Sequence, residues 1–157
     1  MRLDPARPSD ADALTRIAHS AKRHWGYPEA WIALWRDALT VTPAVLERQR
    51  VFCAWEGSEL LGFYALSGEG HTLELEHLWV RPERLGLGIG RRLFEHALAT
   101  AQGAGGAQVR IASDPNAEGF YLKMGARRVG SVASTPEGRT LPLLVCEISG
   151  AGPGTWD

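Results

Sequence analysis

The stretch "RPERLGLGIGRRLFEHAL", residues 81–98, constrains this chain more than any other. Gly86, Gly88 and Gly90 fall at every second position between a strand-like run, "TLELEHLWV", and a helix-like one. Glycine lets backbone N–H groups approach an anion without interference from Cβ, and the helix N-terminus that follows adds positive dipole potential. A bare strand-to-helix turn needs one glycine, whereas three in alternation point to a phosphate. Two familiar phosphate loops do not fit. A nucleoside-triphosphate loop requires Gly-Lys-Ser/Thr, and this one continues Gly90-Arg91-Arg92. A dinucleotide fingerprint counted from Gly86 needs glycine where Arg91 stands, and one counted from Gly88 needs it at Leu93.

What surrounds the loop narrows the fold. "MRL" opens a first strand, and Ser9, with Asp12 three residues on, caps a helix whose apolar face is Leu14, Ile17, Ala18 and Ala21. "PEAWIALWRDAL" reads as a second helix with Pro28 in its first turn, and "TPAVLER" as a short third with Thr42 as cap. After residue 50 the period changes from helix to strand. "RVFCAWE", "ELLGFYAL" and "TLELEHLWV", separated by the turns "GS" and "GEGH", are three successive antiparallel strands. A helix over 88–102, a strand over 107–113 and a helix over 114–126, closed by Gly125 as a left-handed cap, come next. Two final strands, 127–134 and 139–148, complete the order β-α-α-β-β-β-α-β-α-β-β. Pro142 in the last of these predicts an edge or a bulge there. The expectation is an α/β (α+β) fold: a mixed, mainly antiparallel sheet of about seven strands with helices on both faces. The expected organisation is one domain over 1–148 and a frayed Gly/Pro-rich tail over 149–157.

Charge and composition exclude other classes. The chain of 157 residues carries a formal net charge of −1, so no basic field argues for nucleic acid or an anionic membrane. No apolar run approaches the roughly 20 residues that cross a bilayer, and no signal-type stretch opens the chain. A soluble cytoplasmic protein is expected. Cys53 and Cys146 lie inside strand-like apolar runs without metal-ligand spacing, so both read as buried reduced thiols, and no metal is expected.

The loop block "HLWVRPERLGLGIGRRLFEHAL" resembles the pyrophosphate loop of the GCN5-related N-acetyltransferase (GNAT) superfamily, Gln/Arg-x-x-Gly-x-Gly/Ala, with Gly88 and Gly90 as the matched glycines. "DPNAEGFYLKMGARRVG" resembles that family's second acyl-CoA motif through Asn116, Phe120, Tyr121 and Gly125. The element order resembles the family from residue 1 to about 148. Two positions depart from it: Leu85 stands where the family has Gln or Arg, with Arg84 one residue early, and Ala126 stands where it has an aromatic.

The resemblance implies acetyl-CoA as donor and direct transfer of its acetyl group to a primary amine. It implies a splayed strand pair in which Leu78 and Val80 offer backbone to the pantetheine arm, and the amide of Leu78 or Trp79 reaches the thioester oxygen. Leu85, Gly86, Leu87, Gly88, Ile89, Gly90, Arg91 and Arg92 would hold the pyrophosphate, with Asn116, Phe120 and Tyr121 completing the donor site. Tyr121 aligns with the usual acid for the leaving thiolate.

For the base, strict strand alternation puts Glu74, Glu76, Leu78 and Val80 on one face. Glu76 ranks ahead of Glu74, and His77 on the opposite face reads as a packed histidine. In the family the acceptor site is built by the first two helices and their connection, here "KRHWGYPEAWIALW". Trp25, Tyr27, Trp31 and Glu76 would therefore line an aromatic, acid-flanked pocket for a small cationic amine, while Trp31 and Trp35, four apart, read equally as core. Open alternatives are a non-catalytic acyl-CoA-binding module, a longer acyl donor, and a protein N-terminus or lysine as acceptor. A homodimer is also left open.

Overall fold

The computed structural model describes residues 1–148; the expected tail, 149–157, lies outside the described residues. Among the described residues seven strands form one sheet: β1 (Arg2–Pro5), β2 (Arg50–Glu56), β3 (Glu59–Ser67), β4 (Thr72–Val80), β5 (Gln108–Ala112), β6 (Arg127–Ala133) and β7 (Thr140–Glu147). Their spatial order is β1-β2-β3-β4-β5-β7-β6, and every neighbouring pair is antiparallel except β4 with β5. On one face lie α1 (Ala11–His24), α2 (Glu29–Leu34), α3 (Arg36–Leu39) and α4 (Pro43–Arg48); on the other lie α5 (Ile89–Gly103) and α6 (Glu118–Lys123).

Two cores follow from that layering. Leu14, Ile17 and Ala18 of α1 pack on Cys53, Phe63 and Ala65, while Leu93, Phe94 and Ala97 of α5 pack on Tyr64, Leu66 and Leu73. Strand β3 supplies both cores, which is why its seven inner residues are all buried. Cys53 and Cys146 are buried free thiols, as expected, and burial pushes the Cys53 thiol up to about 12.

Local details differ from the sequence reading at four places. A 3-10 turn over Pro8–Asp10 precedes α1, and Asp10, not Asp12, closes the turn by accepting from the Arg7 amide at 2.8 Å. The expected second helix tightens at Trp35 into α2 and α3, where the Trp35 amide reaches back to Trp31 and Ile32. The expected helix over 114–126 is a 3-10 turn, Pro115–Ala117, followed by α6, with Gly125 at φ +103° ending it as predicted. Pro142 sits on an interior strand, not an edge. It stands opposite Ser113 just past the Ala112–Leu143 pair: its carbonyl accepts from the Ser113 amide at 3.0 Å, and its missing N–H ends the β5 ladder there. The bulge in this hairpin falls across the ladder on β6, between Arg128 and Gly130.

Two irregularities open the sheet. The β4–β5 pairing covers only Thr72–Glu74 against Gln108–Arg110, after which the parallel strands part. On its other side β4 pairs Ala65 with His77 but Leu66 with Leu75, leaving Glu76 as a bulge. The extra residue reverses the alternation. Leu73 and Leu75 face α5, as do Leu78 and Val80, whereas His77 and Trp79 face the α1 side. Strict alternation had placed Glu74 and Glu76 on one face with Leu78 and Val80; the bulge separates the two carboxylates from those two residues.

Candidate active site

The parted strands enclose a cleft of about 440 Å3. Leu75–Val80 form one wall, Ile111–Ser113 with Asp114 and Asn116 the other, and the glycine loop closes one end. Ala21, His24 and Trp25 of the α1 terminus cover the front.

The loop has the properties its sequence promised. Gly86 and Gly88 both take φ +83°, and a Cβ built on either meets nothing within 4 Å, so the turn itself, not crowding, requires glycine there. Gly88 caps α5, and the first amide of that helix to find a carbonyl is that of Arg92, bonded to Gly88 at 3.1 Å. The amides of Ile89, Gly90 and Arg91 are thus the orphan donors of a fifteen-residue helix. Orphan donors, helix dipole and left-handed glycines together fit a pyrophosphate. Leu85, Gly86, Gly88, Ile89, Gly90 and Arg91 all line the cleft. Leu87 and Arg92 do not: they face a neighbouring hollow of about 240 Å3 with Met1 and Glu56. Leu85 is 45 % exposed, and the neighbouring Arg84 is engaged by Glu59 at 2.5 Å.

Asn116, Phe120 and Tyr121 all line the cleft. Tyr121 is buried with its ring edge-on to Phe94 and Phe120. Its hydroxyl bonds to no described residue, yet it is not among the sealed, unpartnered atoms, so it opens on the cleft. Burial, with Asp114 nearby, pushes its pKa far above the ordinary phenol value, which keeps it protonated.

The two glutamates part company. Glu76 lines the cleft and accepts from the Ser67 hydroxyl at 2.5 Å. Glu74 lies off the cleft wall, 2.6 Å from the Arg110 guanidinium. His77, read from sequence as a packed histidine, is packed but also lines the cleft. Trp79 Nε1 donates to its Nδ1 at 3.0 Å, so the ring proton sits on Nε2, and burial holds the imidazole below its usual pKa and therefore neutral.

The acceptor side differs most from the sequence reading. Trp25 lines the cleft and is 40 % exposed. Tyr27 and Trp31 do not line it; with Trp35 they form an aromatic cluster beside it. That cluster already holds two cations of this chain. Lys22 Nζ lies 4.4 Å from the Trp35 ring centroid and 5.2 Å from that of Tyr27, and the Arg139 guanidinium lies 4.6 Å from Trp35. The Tyr27 and Trp35 rings thus already face cations of the protein itself. Asp114 faces both cations, accepting from Lys22 at 2.5 Å and lying 3.7 Å from Arg139, and its single charge offsets one of the two. Burial opposes the Asp114 charge, but hydrogen bonds from Lys22, the Asn116 amide and Tyr27 outweigh it and hold the carboxyl below its ordinary pKa. Burial pulls Lys22 below the ordinary lysine value, with Asp114 pulling the other way. Lys22, Asp114 and Arg139 carried no motif signal; a lysine on the apolar face of α1, next to Ala21, was the one hint.

The profile of the Acetyltransferase (GNAT) family matches residues 12–126, which spans the glycine loop, the splay and the Asn116–Tyr121 block. The chain belongs to the GNAT family. This GNAT protein is 35 % identical to a blasticidin-S acetyltransferase of Streptomyces morookaense over 118 residues, covering 71 % of this chain and 86 % of that one. It is 37 % identical over 88 residues to the peptidyl-lysine N-acetyltransferase YjaB of Salmonella typhimurium, covering 55 % of each. Its fold superposes on a GCN5-related N-acetyltransferase from Rhodopseudomonas palustris with a TM-score of 0.79 at 21 % identity, covering 93 % of this chain and 94 % of the other. A PaiA N-acetyltransferase from Thermoplasma acidophilum, solved with coenzyme A, gives 0.78 at 20 % identity, covering 93 % and 98 %. The GNAT protein is an acetyl-CoA-dependent N-acetyltransferase acting on amines. No described helix is long and apolar enough to cross a membrane.

Proposed function

We propose that this enzyme moves the acetyl group of acetyl-CoA directly onto a primary amine of a small molecule, with Glu76 as base and Tyr121 as acid. The observation that carries the reading is the Tyr121 hydroxyl, protonated, without a partner among the described residues and open to the cleft at the splay. The neutral amine attacks the thioester carbonyl carbon, the C–N bond forms and the C–S bond breaks. Glu76 takes the amine proton and Tyr121 gives one to the leaving thiolate; solvent then resets both groups. The amide of Leu78 or Trp79 polarises the thioester oxygen.

Glu76 is preferred to Glu74 because Arg110 already neutralises Glu74 outside the cleft. The acceptor rests on Trp25 at the front of the cleft, not on the filled Tyr27–Trp31–Trp35 cluster. The likeness to a blasticidin-S acetyltransferase covers more of the chain than the likeness to a peptidyl-lysine N-acetyltransferase, which favours a small acceptor.

A panel of small amines, aminoglycosides, nucleoside antibiotics and lysine peptides, read by thiol release from acetyl-CoA, tests the reading. Small amines should turn over, and Tyr121→Phe should lower kcat on the order of a hundredfold while leaving acetyl-CoA binding in place. Glu76→Gln should lose the rate on the high-pH side less than on the low-pH side, where the amine is protonated. Turnover restricted to lysine peptides, or an unchanged kcat in Tyr121→Phe, would overturn the proposal.

A further inference from the structure

Asn116 is an exposed residue, yet its side chain is held by a part-buried network drawn from distant segments. Its amide nitrogen lies 3.1 Å from the Tyr27 hydroxyl and 3.0 Å from Asp114 Oδ1, and its backbone amide donates to the same oxygen at 2.8 Å. The orientation is chemically determined. An ionised carboxylate only accepts, so the nitrogen of the amide must face Asp114 and the oxygen must face away. That oxygen bonds to no described residue, and Asn116 lines the cleft.

The holders are themselves fixed. Asp114 is only 8 % exposed and accepts from Lys22 at 2.5 Å. The Tyr27 hydroxyl donates to Asp114, accepts from Arg139 at 3.0 Å, and its ring stands edge-on to Trp35 at 4.9 Å. A free surface asparagine samples several rotamers and both amide flips, so it offers a ligand no fixed donor or acceptor. Here Tyr27 and Asp114, themselves fixed by Lys22, Arg139 and Trp35, remove that freedom.

We propose that Tyr27 and Asp114 are positioning residues for the acyl donor, acting through Asn116. They hold its nitrogen toward the aromatic cluster, so that its amide oxygen faces the splay and accepts an amide N–H of the pantetheine arm. The α1–α2 connection, through Tyr27, thereby sets donor affinity, although Tyr27 does not line the cleft. This rests on acetyl-CoA being the donor.

Calorimetry with coenzyme A and with adenosine 3′,5′-bisphosphate, which lacks the pantetheine arm, separates the contributions in wild type, Tyr27→Phe, Asn116→Ala and the double variant. Tyr27→Phe should weaken coenzyme A about three- to tenfold, as the loss of one orienting hydrogen bond does, and leave the bisphosphate unchanged. In the Asn116→Ala background the Tyr27→Phe effect on coenzyme A should vanish. Thermal melts of each variant report stability separately. A lowered Tm with unchanged coenzyme A affinity would mean that the network is only structural and would overturn the proposal. So would equal weakening of both ligands, or additive effects in the double variant. Failure of wild type to bind either ligand would instead remove the donor assignment itself.

Discussion

Replacing Lys22 by methionine removes the cation from a pair whose side chains are 10 % and 8 % exposed. Methionine keeps most of the apolar contact with Trp35 and Tyr27, so the loss is chiefly electrostatic. Breaking a buried pair from one side costs roughly 3–5 kcal/mol, because the remaining charge is left desolvated. Arg139 lies 3.7 Å from Asp114 and takes over part of the compensation, which places the expected loss near the low end, at about 3 kcal/mol. For a chain of this size that corresponds to a Tm lower by about 6–12 °C. The deficit carries a pH signature. In the wild type the Asp114 pKa is depressed, so its contribution is complete above the unfolded carboxylate value, about 3.9, and fades as pH falls through the lower folded value. Without Lys22 the burial that opposes the charge loses its main counterweight, so the folded value rises relative to the wild type, a cost present at neutral pH and relieved as the carboxyl protonates. Both effects shrink the difference between the two proteins as pH drops below about 5. Urea unfolding or calorimetry from pH 7 to pH 3.5 measures it. A deficit below about 1 kcal/mol at pH 7, or one that does not change with pH, would refute the reasoning.

Gly62→Ala should destabilise the fold by about 2 kcal/mol or more, since a Cβ there meets the Trp79 carbonyl oxygen at 2.5 Å, backbone that cannot swing aside. The same displacement moves Trp79 and Val80 in the cleft wall, so coenzyme A affinity should fall with the Tm; calorimetry and a thermal melt on one sample check both. Leu85→Arg adds a cation at an exposed loop position that lines the cleft, and should tighten coenzyme A up to about fivefold at low ionic strength. The gain should disappear in high salt, and its absence at low salt would show that the backbone amides alone set the affinity.

Features written in a local run of sequence were legible. The alternating glycines predicted the turn at Gly86 and Gly88, and Leu14, Ile17, Ala18 and Ala21 predicted the buried face of α1. Gly125 predicted the end of α6, and all seven strands were found within a residue or two of their ends. Hydrophobic period and glycine conformation are properties of a backbone over a few residues, so they survive without knowledge of the partner.

The tertiary structure decided the rest. Which face Glu74 and Glu76 take depends on the register of β4 against β3, and a single bulge at Glu76 reversed it relative to Leu78 and Val80. Pro142 is tolerated inside the sheet because it falls at the end of the β5 ladder, where only its carbonyl is paired, with the Ser113 amide. Lys22, Asp114 and Arg139 are brought together across 92 and 112 positions of chain, to Asp114 and to Tyr27 respectively, and nothing in any one segment announces the meeting. By itself the sequence determined the layered fold, the glycine loop and the Asn116–Tyr121 block, because each is a short-range pattern. It left undetermined which carboxylate faces the cleft and which cations fill the aromatic cluster. Those depend on long-range packing, where one inserted residue or one buried charge changes what a side chain touches.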